Sequence, residues 1–245
     1  MSVFADLHVH TTNSDGEMEL SEVPAAARDA GVSVVAITDH DRLHPELPTP
    51  VTAFEGVTVV HGIELRVEPG PEAYGDCGPP GGDGTGERVD LLGYGATPTP
   101  DLVEELDRVQ RDREERGRKI IENVETELGV DLDLEAREGL GRPHVARAVV
   151  DHPDSGYDET GAVFDDLIGN DGPCFVAREV TSFERGVELL TDACGLVGLA
   201  HPYRYDDPEA ALELTRHLDA VERYYPYDRE VDTRPVERVD RKSVV

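Results

Sequence analysis

The chain has 245 residues, with 53 Asp and Glu against 23 Lys and Arg and a formal net charge of −30. A surface this anionic repels long polyanions, which argues against a basic groove for long nucleic acid, and no run of about 18 apolar residues offers a membrane span. The length suits a single domain, residues 1–245, with enough chain to bury a core. Only two of the basic residues are lysines, Lys119 and Lys242. Acid excess with so little lysine resembles a protein from a salt-loving organism, where the Debye length shrinks to roughly 3 Å. The start, Met1-Ser2-Val3-Phe4, has no basic or apolar signal segment, and Cys77, Cys174 and Cys194 form neither a disulfide framework nor a Cys-x-x-Cys site. These features together predict a cytoplasmic protein.

In chain order, Val3–His10 reads as a strand. Residues i and i+2 of a strand share a face, so His8 and His10 aim two imidazoles at one point, and Asp15 in the following polar turn can fold back over it. Ser21 is placed to cap a helix reaching Ala30, with Pro24 in its first turn and Gly31 beyond its end. Val32–Thr38 is a buried strand ending at Asp39-His40-Asp41. Val57–Glu64 is another, ending at Gly62-Ile63-Glu64, where Glu64 shares a face with Gly62 and Val60. His61 points the other way and reads as structural or solvent-facing. Pro69–Gly86 is a Gly/Pro-rich flexible loop at a hairpin tip, and Arg88–Tyr94 is the returning strand.

Asp101 to about Leu128 has helical spacing of apolar residues. Arg142–Val150 opens a shorter helix on Pro143. Phe175–Ala177 reads as a short strand, and Thr181-Ser182-Phe183-Glu184 as a capping box for a helix to about Ala193. Leu196–Ala200 is a strand ending at His201-Pro202, Pro208–Leu218 a helix and Ala220–Tyr225 a strand. His44, His152 and His217 fall in loops or polar helices and read as surface residues. His144 opens a helix that could lean over the site.

This alternation predicts an α/β fold with mostly parallel strands, and residues 101–179 read as a mostly helical insertion capping the rim. The candidate ligands His8, His10, His40, Glu64 and His201 gather at strand C-terminal ends, where α/β active sites form. With Asp15 they make six, too many for one tetrahedral ion with an open position. Imidazole and carboxylate donors suit divalent zinc, manganese, magnesium or iron, in a cluster of two or three ions that Glu64 could bridge. Such clusters activate water and clamp phosphoryl oxygens, so phosphate-ester hydrolysis is the expected reaction. An amidohydrolase-type site also uses His-x-His, but often with a carboxylated strand lysine, and neither Lys119 nor Lys242 lies at a strand end.

Taken together, Asp6-Leu7-His8-Val9-His10-Thr11, Ser14-Asp15-Gly16, Ile37-Thr38-Asp39-His40-Asp41, Gly62-Ile63-Glu64, Leu91-Leu92-Gly93-Tyr94, Gly141-Arg142-Pro143-His144 and Ala200-His201-Pro202 resemble the PHP (polymerase and histidinol phosphatase) family, in the family's order. The resemblance implies a distorted seven-stranded (β/α)7 barrel, a trinuclear metal site and phosphoesterase activity. The Arg-Pro-His insert resembles the stand-alone branch of 3′,5′-nucleotide bisphosphate phosphatases and 5′→3′ exonucleases acting on short RNA or DNA. Carried over, His8, His10 and Glu64 match ligands of one metal, Glu64 and His201 of a second, Asp15 and His40 of a third. His144 and Arg178 match candidates for holding substrate phosphate.

The pattern departs at two places. Asp90 stands where many relatives have a metal-ligating histidine, and carboxylate can still ligate. The family's last strand carries a Gly-Ser-Asp-x-His-like motif, and Asp228–Val245 contains neither Gly nor His, so the final strand is expected to be lacking, with Asp232 and Asp240 as ordinary surface acids. The sequence thus points to a metal-dependent phosphoesterase of small nucleotides or short oligonucleotides. The alternatives are a truncated, metal-binding relative with weak or no activity, and a non-enzymatic binding module. It sets no oligomeric state.

Overall fold

The computed structural model describes residues 4–77, 87–137 and 139–239. The described chain forms two compact units, one built from the residues up to Leu106 and from Val180 onward, the other from Asp107–Glu179. Among the described residues, no helix is long and apolar enough to cross a membrane.

The first unit contains β1 (Ala5–Val9), α1 (Val23–Asp29), β2 (Val34–Ile37), β3 (Val51–Phe54), β4 (Val57–Glu68), β5 (Val89–Tyr94), β6 (Thr181–Ser182), α5 (Phe183–Ala193), β7 (Leu196–Leu199), α6 (Pro208–Glu213), β8 (Ala220–Val221) and α7 (Arg234–Val239). The main sheet runs in the order β1-β2-β4-β5-β7-β8, with β3 and β6 also paired to β4. The expectation of mostly parallel strands holds: β1, β2, β4, β6, β7 and β8 run one way, and β3 and β5 run the other. β5 runs antiparallel to both of its neighbours, β4 and β7, and β3 is antiparallel to β4. A hairpin return from β4 leaves β5 no other direction. The tip of that hairpin, residues 78–86 of the expected Gly/Pro loop, lies outside the described residues.

β4 is the spine of this unit. Along Thr58–His61 it pairs in parallel with β2, and along Gly62–Val67 it pairs with β5. Gly62 is where one neighbour replaces the other. A Cβ there would lie 2.7 Å from the Gly93 carbonyl oxygen and 3.0 Å from Thr38 Cγ2, so only glycine lets the three strands meet. Past it, Ile63, Leu65 and Val67 point into a core with Val89, Leu91, Phe183 and Leu190. Strand alternation then sends Glu64 and Arg66 to the opposite face. Glu64 is therefore mid-strand and not at a strand end as the sequence suggested, because β4 continues four residues further to Glu68.

Other boundaries differ for local reasons. α1 starts at Val23 after Glu22, with no side-chain cap from Ser21, since Pro24 in the first turn leaves one fewer N–H to satisfy. α5 is capped by Ser182, whose hydroxyl accepts from Arg185 N, while Thr181 belongs to β6. The helix from Pro208 turns 3₁₀ at Leu214. β8 stops at Val221, where the chain leaves the sheet. His44 is buried, not on the surface: its backbone N–H donates to His61 Nε2 at 3.2 Å. Burial and the nearby His44 lower the His61 pKa to about 4.

The second unit holds most of α2 (Pro100–Leu128), with α3 (Arg142–Asp151) and α4 (Thr160–Val163). Its core joins Ile120, Val124, Val145, Val149, Leu167 and Ile168. The strand expected at Phe175–Ala177 does not form. Instead the Phe175 ring is flanked by the guanidinium carbons of Arg116 and Arg142, at 6.0 and 5.9 Å from its centroid.

Candidate metal centre

Glu64 lies at the middle of the site. Its Oε2 is 3.2 Å from His8 Nε2, 3.0 Å from His10 Nε2 and 3.0 Å from His40 Nδ1, and its Oε1 is 2.8 Å from His201 Nε2. Four imidazoles thus meet one buried carboxylate, in two groups that share it: His8, Glu64 and His201, and His10, His40 and Glu64. Asp15 joins the second group, 2.8 Å from His10 Nδ1 and 3.7 Å from His40 Nε2.

Each side chain is delivered by backbone geometry. His8 lies in β1 and His10 immediately follows it. The turn after them is held by Asp39, fully buried, whose carboxylate accepts from Thr11 N, Thr11 Oγ1 and Ser14 Oγ at 2.7–2.8 Å. A side chain on Gly16 would collide with the His10 carbonyl, so glycine is needed for that turn to close and bring Asp15 back. His40 is bridged to Glu64 by a ladder contact, with Asp41 N donating to Glu64 O at 2.8 Å. Asp41 and His201 both have positive φ, 53° and 27°, a strained conformation for side chains of this kind that accumulates at functional sites.

The electrostatics of the protein atoms alone are those of a negatively charged hub under an imidazole ring. Burial opposes ionisation of Glu64, but His40, His10, His201 and His8 outweigh it and hold its pKa well below the usual carboxylate range. Burial likewise opposes charge on His8, which hydrogen bonds to Glu222 and Glu64 nevertheless raise to about 10. His10 is raised to about 9 by Asp15 and Glu64 against the same penalty.

The sequence-derived residues fall into three groups. His8, His10, Asp15, His40, Glu64 and His201 converge. Asp90 is fully buried with Oδ2 3.6 Å from His201 Nε2, but it is gripped by Arg66, which sits opposite it in the β4–β5 register and donates from Nε and Nη2 at 2.7 and 2.5 Å. His144 and Arg178 belong to the other unit. There His144 Nδ1 accepts from Gly141 N at 3.0 Å, and Arg178 is among the charges that, with burial and Arg142, lower the Arg116 pKa to about 10. Asp232 is an exposed partner of Arg234, and Asp240 lies outside the described residues.

Sequence reasoning missed Glu222. It is buried, lies 3.1 Å from His8 Nδ1 and accepts from His201 N at 2.7 Å. The signal was an acid directly after the apolar pair Ala220-Val221, obscured by extending that strand to Tyr225. The donor set of imidazole nitrogens and carboxylate oxygens, with no thiolate, fits divalent zinc, manganese, magnesium or iron. Glu222 on His8 and Asp15 on His10 are carboxylates of the kind that orient ligating histidines. The cavity over these groups has a volume of about 370 Å³ and is lined also by Arg204 and Tyr225.

A family model described as PHP domain matches residues 6–116 of the chain. A 3′,5′-nucleoside bisphosphate phosphatase from Chromobacterium violaceum is 27% identical over 216 residues, covering 85% of this chain and 70% of the relative. A 5′-3′ exoribonuclease from Haemophilus influenzae is 27% identical over 207 residues, covering 82% of this chain and 69% of the relative. Among solved structures, a proposed metal-dependent phosphoesterase from Bifidobacterium adolescentis superimposes with a TM-score of 0.73 at 19% identity, covering 98% of this chain and 83% of that one, which supports the fold.

Proposed function

We propose that the chain is a metal-dependent phosphoesterase that hydrolyses phosphomonoesters of small nucleotides or short oligonucleotides. The observation that carries this reading is the Glu64 carboxylate within 3.2 Å of four imidazoles at the base of a solvent-open cavity. His8, His10, His40, Glu64 and His201, with Asp15, would hold two to three divalent ions. Bound there, the ions would supply Lewis acidity and a water of lowered pKa for attack on phosphorus. The chain's own residues do the positioning: Asp15 fixes the His10 ring, Glu222 fixes His8, and the Asp39-held turn keeps both histidines on one side. By their likeness to family positions, His144 and Arg178 hold substrate phosphate. The relatives' named activities support the substrate class.

A second reading, a metal-binding chain with weak or no turnover, is favoured by Arg66, which ties up the carboxylate beside His201. Phosphate release from adenosine 3′,5′-bisphosphate separates the two. The first expects turnover that depends on Mn²⁺, Mg²⁺ or Zn²⁺ and disappears in His8→Ala and His40→Ala. Release that survives both substitutions would remove the metal mechanism, and no release alongside measurable metal binding would leave the second reading.

A further inference from the structure

We infer that Arg66 is a built-in cation that keeps Asp90 out of the metal centre, so that the two ligand groups sharing Glu64 are unequal and the His8–Glu64–His201 group holds its ion weakly and exchangeably. The inference rests on the metal-dependent reading for the presence of ions. The donor atoms of His8, Glu64 and His201 lie within 4.8 Å of one another, as do those of His10, His40 and Glu64. Asp90 is the carboxylate placed to extend the first group: it is fully buried, with Oδ2 3.6 Å from His201 Nε2.

Asp90 is fixed by its own partners. Arg66 stands opposite it in the β4–β5 register and donates from Nε to Oδ1 at 2.7 Å and from Nη2 to Oδ2 at 2.5 Å. The guanidinium therefore takes the oxygen that faces His201 as well as the other, in the planar two-point contact for which arginine is shaped. Both backbones are tied as well. Arg66 N donates to Asp41 Oδ1 at 3.0 Å, beside His40. Asp90 N donates to Tyr205 Oη at 2.8 Å, and that hydroxyl donates to Ala200 O at 3.2 Å, beside His201. A carboxylate held in this way turns toward an ion only by breaking a bidentate pair and leaving the guanidinium without its counterion.

The two groups also differ in what orients their histidines. In the second, Asp15 lies 2.8 Å from His10 Nδ1 and 3.7 Å from His40 Nε2, near enough to steady the rings. In the first, Glu222 serves His8, but His201 Nδ1 is buried and meets no hydrogen-bond partner among the described residues. A partner on the far nitrogen fixes a ligating imidazole and raises its basicity, an effect worth about 10–100-fold in metal affinity. The first group is thus left with three protein donors, one of them unsupported. Three protein donors with an open position mark catalytic and not structural zinc sites, so the weak position is also the one with room for a substrate oxygen.

Titration of the full chain with Mn²⁺, following the free ion by electron paramagnetic resonance, tests this without turnover. About 1 M KCl keeps the −30 surface from gathering ions. The parent should show two classes of site whose dissociation constants differ at least about tenfold, and His201→Ala should remove the weaker class. Asp90→Asn keeps an oxygen for Arg66 but is a poor ligand, and it should leave both constants within about twofold. Arg66→Met frees Asp90 and should tighten the weaker class at least about tenfold. Should Arg66→Met fail to fold, Asp90→Asn decides alone: a tenfold weakening of either class would make Asp90 a ligand in spite of Arg66 and overturn the inference. Equal constants in the parent, or a weaker class unmoved in a folded Arg66→Met, would also overturn it while leaving the metal centre intact. A parent that binds no Mn²⁺ would overturn the metal-dependent reading itself, and this inference with it.

Discussion

His8 and Glu222 join the two ends of the sheet. His8 lies in β1 and Glu222 directly follows β8, strands at opposite ends of the sheet order, yet His8 Nδ1 sits 3.1 Å from Glu222 Oε1. The sheet curls until a side chain of its first strand meets the residue that follows its last. The same carboxylate accepts from the His201 backbone N–H at 2.7 Å, so one acid holds the His8 ring and the backbone of the residue that carries a second imidazole.

That arrangement predicts the effect of Glu222→Gln. With the carboxylate gone, the His8 tautomer and ring angle are no longer fixed by charge, and outer-shell partners of this kind are worth about 10–100-fold in metal affinity. Competition between the protein and a chromogenic chelator for Mn²⁺ or Zn²⁺ should show a loss of that size. A dissociation constant unchanged in the variant would mean that His8 is positioned by packing alone.

Arg66 and Asp90 make a second prediction. Asp90 is fully buried and its carboxylate is neutralised by the Arg66 fork across the β4–β5 register. Arg66→Ala would leave that charge buried without its counterion, at a cost of about 3–5 kcal/mol. Replacing both, as Arg66→Met with Asp90→Leu, should cost far less. Urea unfolding of the two variants checks this, and equal losses in both would show that the pair has no special role in stability.

How far the sequence could be read follows from these residues. His8 and His10 were legible because period-two alternation acts within five residues, and Glu64 because an acid closes the apolar run of β4, although the strand itself continues to Glu68. The Arg66–Asp90 pair was not, since it depends on hairpin register across a loop whose course the sequence does not set. Reading Asp90 only as a ligand candidate followed from missing that partner. Glu222 was hidden by an error of strand length: placed mid-strand, it carried no strand-end signal. The antiparallel direction of β5 was legible in the hairpin and returning strand read there, and the common direction of most other strands in the alternation of helices and strands.

Salt should stabilise the fold. With a net charge of −30, carboxylates repel one another across the surface, and the range of that repulsion falls from about 10 Å at 0.1 M salt to roughly 3 Å at 1 M. Raising KCl from 0.1 to 2 M should lift the thermal midpoint by roughly 5–10 °C, equivalent to about 2–3 kcal/mol for a chain of this size. A flat midpoint across that range in calorimetry would show that the acidic surface carries no net stability cost.

His61 gives a pH signature away from the metal centre. It is almost fully buried on the face of β4 opposite Glu64, and its Nε2 accepts from His44 N, a bond that exists only while that nitrogen carries no proton. Burial and His44 hold its folded pKa at about 4, against an ordinary value of 6.5, with the Asp39 charge opposing the shift. The unfolded chain therefore binds a proton more readily between those two values, so stability from His61 is complete above about pH 6.5 and is lost as pH falls toward 4. The loss is on the order of 3 kcal/mol. Carboxylates elsewhere titrate over part of this window, so the useful quantity is the difference from His61→Gln, whose amide oxygen can still accept from His44 N but cannot be protonated there. The variant should be less stable than the parent at pH 7, and the gap should close or reverse by pH 4.5 in urea titrations. A gap that stays constant from pH 7 to 4.5 would mean that His61 keeps an ordinary pKa in the folded protein.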